Sequence, residues 1–299
     1  MIFRARAEAA KPAPDRAFET LGEAAARRIA QILLPPAERA RLARLALPDA
    51  GHGYDAFGLH PAWVALTAGI GRFLYDQYFR VESIGAENVP ARGPAILAAN
   101  HAGMLPLDAV MLYLDVLRRT EPPRLVRPVA DWFVPLLPLV STAYARAGVV
   151  SGSRRNVARL LESGELIELF PEGVAGIGKP FGERYHLQGW TVGHAELAIR
   201  HRVPVVPVGI IGSEEQWIEI LRLRRFHWFG APYLPVPLFL LPLPVRYHIY
   251  YGEPIVLHEG RTAADADDPA IVEAAATRVR QAVEALLARG LRERRGIFQ

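Results

Sequence analysis

The spacing of apolar residues changes character near residue 80. Before it the period is helical. Phe18, Leu21, Ala25, Ile29, Ile32 and Leu33 recur three or four apart, and Ala37 to Leu47 continues the pattern after Pro35-Pro36. Two amphipathic helices are expected over 16–47. Asp49 to Gly58 reads as a loop. Pro61 opens a helix to about Tyr78 that gathers Trp63, Leu66, Ile70, Phe73 and Leu74 on one side. Packing against a core is its first reading, and lying on a bilayer is its second.

From residue 80, short apolar runs alternate with helical stretches. Strands are expected at Arg80 to Ile84, Ala95 to Ala99, Leu125 to Ala130, Ala143 to Val149, Leu166 to Phe170, Val203 to Ile211 and Arg246 to Tyr251. Helices are expected at Leu107 to Leu117, from Trp132 after an Asp131 cap, at Ser153 to Glu162, Trp190 to Arg200 and Ala270 to Ala288. Pro204 and Pro207 argue that their strand is interrupted or lies at an edge, because proline donates no ladder hydrogen bond. This alternation predicts an α/β fold: a central mixed, largely parallel sheet flanked by helices, with an N-terminal helical segment. The division is a loose tail at 1–15, a helical segment at 16–80 and the α/β domain at 81–299.

Composition narrows the chemistry. Of 299 residues, 51% are hydrophobic, enough for a large core, and cysteine is absent. That removes disulfides, thiolate metal sites and a cysteine nucleophile. The formal net charge is +4 and is carried almost wholly by arginine. No basic block interleaved with aromatics points to nucleic acid. Neither a signal peptide nor a spanning helix is expected. Two stretches come close: Pro61 to Phe79 holds Arg72 and Asp76, and Trp228 to Val245 contains five prolines. The second also carries aromatic residues. Its Trp228, Phe229, Tyr233, Phe239 and Leu240 read equally as a buried crossing segment or a membrane-interface segment.

Four constellations carry the chemistry. Asn100-His101 follows an apolar strand, and Asp108 sits in the first turn of the next helix, facing the positive end of its dipole. A carboxylate that accepts from one imidazole nitrogen leaves the other as a base. Gly148-Val149-Val150-Ser151-Gly152-Ser153-Arg154-Arg155 offers small residues, a helix start and two arginines. Phe170-Pro171-Glu172-Gly173 ends a strand in a turn with an outward carboxylate. Val203 to Val208 leads to Gly212-Ser213-Glu214-Glu215. Each alone is equally at home in ordinary caps and turns. A serine-hydrolase elbow, Gly-x-Ser-x-Gly, is missing. His186, His194 and His201 lack the carboxylate that would complete a metal site, so no metal is expected.

The four blocks in this order, spanning about residues 82–255, resemble the glycerolipid acyltransferase family, which includes 1-acylglycerol-3-phosphate acyltransferases. One departure stands out. The family usually places four residues between His and Asp, and here six intervene, Ala102 to Leu107. The loop is similar to that of a branch carrying Gly-x-x-Pro. The resemblance implies acyl transfer from acyl-CoA or acyl carrier protein to the hydroxyl of a lysophospholipid or related glycerolipid, without a further cofactor. It implies His101 and Asp108 as the catalytic pair, with Asn100, Arg154, Arg155, Glu172, Gly173 and Lys179 around the substrate. Arg154, Arg155 and Lys179 would hold an acceptor phosphate. The implied setting is peripheral, on the cytoplasmic face of a membrane. Two alternatives remain open: a neutral acceptor such as diacylglycerol, and a catalytically silent lipid-binding or scaffold protein on the same fold.

Overall fold

A computed structural model describes residues 20–103, 105–131, 139–177, 179–223 and 234–299. The expected tail at 1–15, the helix from Trp132, and Trp228, Phe229 and Tyr233 lie outside the described residues.

The chain opens with helices α1 (Leu21–Leu33), α2 (Pro36–Leu42) and α3 (Pro61–Phe73), the last extended by a π-helical turn, Leu74–Tyr78. Thr20 and Glu23 form a capping box at the start of α1. There follow β1 (Glu82–Ile84), β2 (Ala95–Ala99), α4 (Leu107–Arg119), β3 (Val126–Ala130), α5 (Val140–Ala147), β4 (Val150–Ser151), α6 (Arg154–Glu162), β5 (Leu166–Leu169) and the short α7 (Val174–Ile177). Then come α8 (Gly193–His201), β6 (Val205–Ile211), β7 (Glu219–Leu223), β8 (Leu234–Pro237), β9 (His248–Tyr251) and α9 (Pro269–Glu293).

Seven strands form one sheet in the order β1-β9-β6-β2-β5-β3-β4, while β7 and β8 pair apart from it. Neighbours are parallel throughout except at β6–β9, where the direction reverses. The sheet is therefore mixed and largely parallel, as expected. Every residue of β2 and β6 is buried, because helices cover both faces. Alternate side chains of β2 serve different cores. Leu97 and Ala99 pack with α4 and the N-terminal helices, through Met111, Leu114, Val64 and Ala30. Ile96 and Ala98 pack with α6, α8 and α9, through Leu160, Ile199 and Val279. Burying a side chain of Leu97's size contributes roughly 1.5–3 kcal/mol, so a single exposed slip of β2 would cost several such terms.

The N-terminal helical segment shares this core and is bolted to it by a polar cluster. Asp115, buried in α4, accepts hydrogen bonds from Tyr75 Oη at 2.5 Å, Tyr251 Oη at 2.6 Å and Ser83 Oγ at 2.7 Å. Burial pushes the Asp115 pKa up, opposed by those three hydroxyls and by Arg119.

Three expectations are corrected. Ala143 to Val149 is not a strand; α5 occupies most of it. Alanine at 143, 145 and 147 favours helix, and Gly148 at φ 102° supplies the left-handed residue that ends it. The strand bearing Pro207 is interior, between β9 and β2. Proline is tolerated because the β9 ladder runs only from Val208↔Tyr251 onward, so Pro207 needs only to accept from Gly252 N, at 2.9 Å. The helix expected from Trp190 begins at Gly193, because Thr191 is held to Pro171 O by its backbone N at 2.9 Å and its hydroxyl at 3.0 Å.

The face of α3 also differs from expectation. It buries Ala62, Val64, Ala68, Gly69 and Gly71 and leaves Ile70 and Phe73 exposed at 58% and 55%. Small residues let the neighbouring helices approach closely, which turns the larger apolar side chains outward.

Candidate active site

β5, β2 and β6 lie side by side and parallel, so their carboxyl ends open on one edge of the sheet. Phe170 to Glu172, Asn100-His101 and Gly212 to Glu215 follow them. Three of the four blocks seen in the sequence therefore meet at one place.

His101 and Asp108 are in contact. His101 Nδ1 lies 2.7 Å from Asp108 Oδ2, and the same oxygen accepts from Ala102 N at 2.8 Å. The longer loop does not separate the pair, because this second bond folds Ala102 back over the start of α4. Asp108 is wholly buried and His101 nearly so. An ionised Asp108 accepts the Nδ1 proton, which leaves Nε2 as the basic nitrogen. The imidazole stacks on Phe170, with ring centroids 4.2 Å apart. Burial weighs against the charged imidazolium. The charge and hydrogen bond of Asp108, helped by Glu172 and Asp131, outweigh it and raise the His101 pKa above the ordinary 6.5.

The remaining predicted residues divide. Asn100 is fully buried and staples β2 to β6: its Nδ2 donates to Ile210 O at 3.0 Å and its Oδ1 accepts from Ile210 N at 2.7 Å. Glu172 does not point outward from its turn. It is buried, accepting from His101 N at 3.0 Å on one oxygen and from Gln188 N at 2.7 Å on the other. Gly173, at φ 54°, closes the turn by donating to Phe170 O at 2.9 Å. Lys179 is buried between two carboxylates, 3.1 Å from Glu172 and 3.1 Å from Glu214. Arg154 and Arg155 are exposed beyond β4, three strand positions from β2, and Arg154 pairs with Glu196 at 3.0 Å. β4 itself lies roughly 14 Å from β2 at the strand spacing.

Reading the sequence gave no site role to several further residues. Glu214 completes the buried network, accepting from Asn100 Nδ2 at 3.2 Å and from Tyr185 N at 2.5 Å. Its place after a strand end was the available signal. Gly176 is pressed against the histidine: a β-carbon there would stand 2.8 Å from His101 O. Nothing in the spacing marks that approach. Glu168, on β5, is fully buried, and neither oxygen has a hydrogen-bond partner among the described residues. Burial, and next the Asp108 charge, hold its pKa well above the ordinary carboxylate value.

A histidine oriented by a buried carboxylate, at the carboxyl edge of an α/β sheet, is the apparatus of general-base chemistry on a hydroxyl or water. Comparison with known proteins sharpens this. The family model described as Acyltransferase matches residues 80–211. An uncharacterized protein of Mycobacterium tuberculosis is 39% identical over 260 residues, covering 83% of this chain and 72% of that one. A Bos taurus protein, called DGAT1/2-independent enzyme synthesizing storage lipids, is 28% identical over 208 residues, 68% of this chain and 58% of its own. Among solved structures, the 1-acyl-sn-glycerophosphate acyltransferase PlsC of Thermotoga maritima aligns with TM-score 0.47 and 17% identity, over 74% of this chain and 81% of that one. The chain belongs to the acyltransferase family.

Proposed function

We propose that the protein transfers a fatty acyl group from a thioester, acyl-CoA or acyl carrier protein, to the hydroxyl of a lysophospholipid or related glycerolipid. The observation that carries this reading is the 2.7 Å contact between His101 and Asp108 inside an acyltransferase-family chain. His101 Nε2 removes the hydroxyl proton while the oxygen attacks the thioester carbonyl. Collapse of the tetrahedral intermediate breaks the C–S bond, and the departing thiolate takes the proton from the imidazolium. The ester forms, the thiol leaves, and the histidine returns to its neutral state. No covalent enzyme intermediate and no cofactor are needed.

The acceptor would be reached at a membrane surface, on the cytoplasmic face in our reading. Among the described helices, none is long and apolar enough to cross a bilayer. Exposed apolar side chains instead run from Ile29, Ile32 and Leu33 on α1 through Ile70 and Phe73 on α3 to the loop Leu238 to Leu241. Tyr78 joins the two, with its ring 6.3 Å from Phe73 and its hydroxyl donating to Pro242 O at 2.6 Å. The loop returns to the site, where Leu243 N bonds Gln216 O at 2.7 Å and Gly103, two residues from His101, packs against Gln216. A peripheral face of this kind suits a lipid acceptor delivered from the interface.

A neutral acceptor such as diacylglycerol is the second reading. It is favoured by the pairing of Lys179 with two carboxylates and of Arg154 with Glu196, two of the three expected phosphate contacts. The test is transfer of radiolabelled palmitate from palmitoyl-CoA to lysophosphatidate, other lysophospholipids, monoacylglycerol and diacylglycerol. Product is expected on one class of acceptor, and His101→Ala should lower its rate by at least about 100-fold. Equal rates in the two proteins would refute His101 as the base, and an absence of product with both acyl-CoA and acyl carrier protein would favour lipid binding alone.

A further inference from the structure

We propose that Lys179 is a positioning residue for His101, holding the Asn100-His101 dipeptide in place through two carboxylates rather than binding an acceptor phosphate. The inference rests on the acyl-transfer reading of the site.

The geometry is a bridge with one cation at its centre. Lys179 Nζ lies 3.1 Å from Glu172 Oε2 and 3.1 Å from Glu214 Oε1. Each carboxylate then holds one residue of the dipeptide. Glu172 Oε1 accepts from the backbone N of His101 at 3.0 Å, and Glu214 Oε1 accepts from Asn100 Nδ2 at 3.2 Å. The same two anions bind the segment after α7, through Gln188 N at 2.7 Å and Tyr185 N at 2.5 Å. Lys179 thus ties the ends of β5, β2 and β6 together behind the imidazole.

Electrostatics requires the central cation. All three side chains are buried, with side-chain exposures of 3% for Lys179, 0% for Glu172 and 2% for Glu214. Two carboxylates buried side by side repel, and burial pushes the Glu214 pKa up while the Lys179 charge opposes it. With Lys179 present, both remain acceptors for the N–H groups they hold. Without it, the main opposition to the upward push on Glu214 is gone, and the two carboxylates that hold Asn100 and His101 lose the cation between them. A buried ammonium already shared by two carboxylates is also poorly placed to recruit a phosphate.

The consequence falls on catalysis. His101 is fixed on four sides: Asp108 at Nδ1, Phe170 against the ring, Gly176 against its carbonyl and Glu172 on its amide. Misplacing a base by about 1 Å costs on the order of 100-fold in rate.

The experiment is steady-state kinetics of wild type, Lys179→Met and Glu214→Gln on two acceptors, a lysophospholipid and a neutral acylglycerol, with backbone amide exchange at His101 measured in parallel. Positioning predicts that kcat falls about 10- to 100-fold in Lys179→Met, by the same factor on every acceptor the wild type uses, with KM within about twofold. The His101 amide should exchange faster relative to Leu97 in β2. A rise in KM confined to the phosphate-bearing acceptor, with kcat retained, would overturn the proposal in favour of phosphate binding. Should Lys179→Met fail to fold, Glu214→Gln decides: a shared fall in kcat supports the bridge, and full activity in that folded variant overturns it. Should the wild type transfer to no acceptor, the acyl-transfer reading fails by itself, and the His101 amide still reports whether Lys179 holds the dipeptide.

Discussion

Asp108 divides its two oxygens among three donors: His101 Nδ1, the Ala102 amide and the Ala109 amide. Such a carboxylate is pinned, and it pins the imidazole in turn. One layer deeper the opposite holds. Glu168, opposite Leu97 and Pro128 in the sheet, has no hydrogen-bond partner on either oxygen among the described residues. Its raised pKa makes a stability prediction with a definite sign. A buried acid that ionises less readily when folded binds more protons in the folded state, so its contribution to stability falls as pH rises above the ordinary value of 4.5. Glu168→Gln keeps the shape and removes the titration. The Tm of the variant should exceed that of wild type by a margin that grows between about pH 5 and about pH 8. A margin that is constant or shrinks over this range would show that Glu168 is not held neutral.

At the scale of elements, most of the alternation after residue 80 was legible, because buried parallel strands read as continuous apolar runs. Ala95–Ala99 is the plainest case, with the expected bounds. The failures have local causes. At Ala143 to Ala147, helix-forming alanines outweighed a short apolar run. At α3, apolar spacing identified the helix but only part of its packed face: Leu74 meets the core, while most of the fully buried contact is made by Ala and Gly. Ile70 and Phe73 stand outside, where the second reading of this helix as interfacial would put them. It carries a prediction. The double variant Phe73→Ser, Leu240→Ser should bind phospholipid vesicles at least about tenfold more weakly than wild type, since each buried apolar side chain contributes roughly 1.5–3 kcal/mol. Cosedimentation with vesicles is the readout, and undiminished binding by a folded variant would refute the membrane face.

Across the whole molecule, the contact between His101 and Asp108 was legible and its support was not. His101 and Asp108 are close in sequence, and a strand end followed by a helix start brings such residues together. The partners of Lys179 are Glu172 and Glu214, and only the strand order β5-β2-β6 makes them neighbours. The family resemblance suggested a cation near a substrate, and the fold sets that cation between two buried carboxylates. The place of Arg154 and Arg155 was hidden in the same way: order along the chain does not show that β4 is an edge strand away from β2. The central claim, that His101 paired with Asp108 is the base for acyl transfer, is tested most directly by the pH dependence of kcat/KM in wild type and Asp108→Asn. A base must be unprotonated to act, and the His101 pKa is raised. Wild-type activity should therefore fall with decreasing pH along a limb centred above 6.5. In Asp108→Asn that limb should move to lower pH, with the plateau reduced by about 100-fold or more. A wild-type profile flat through this range, or a limb that does not move in the variant, would contradict the account.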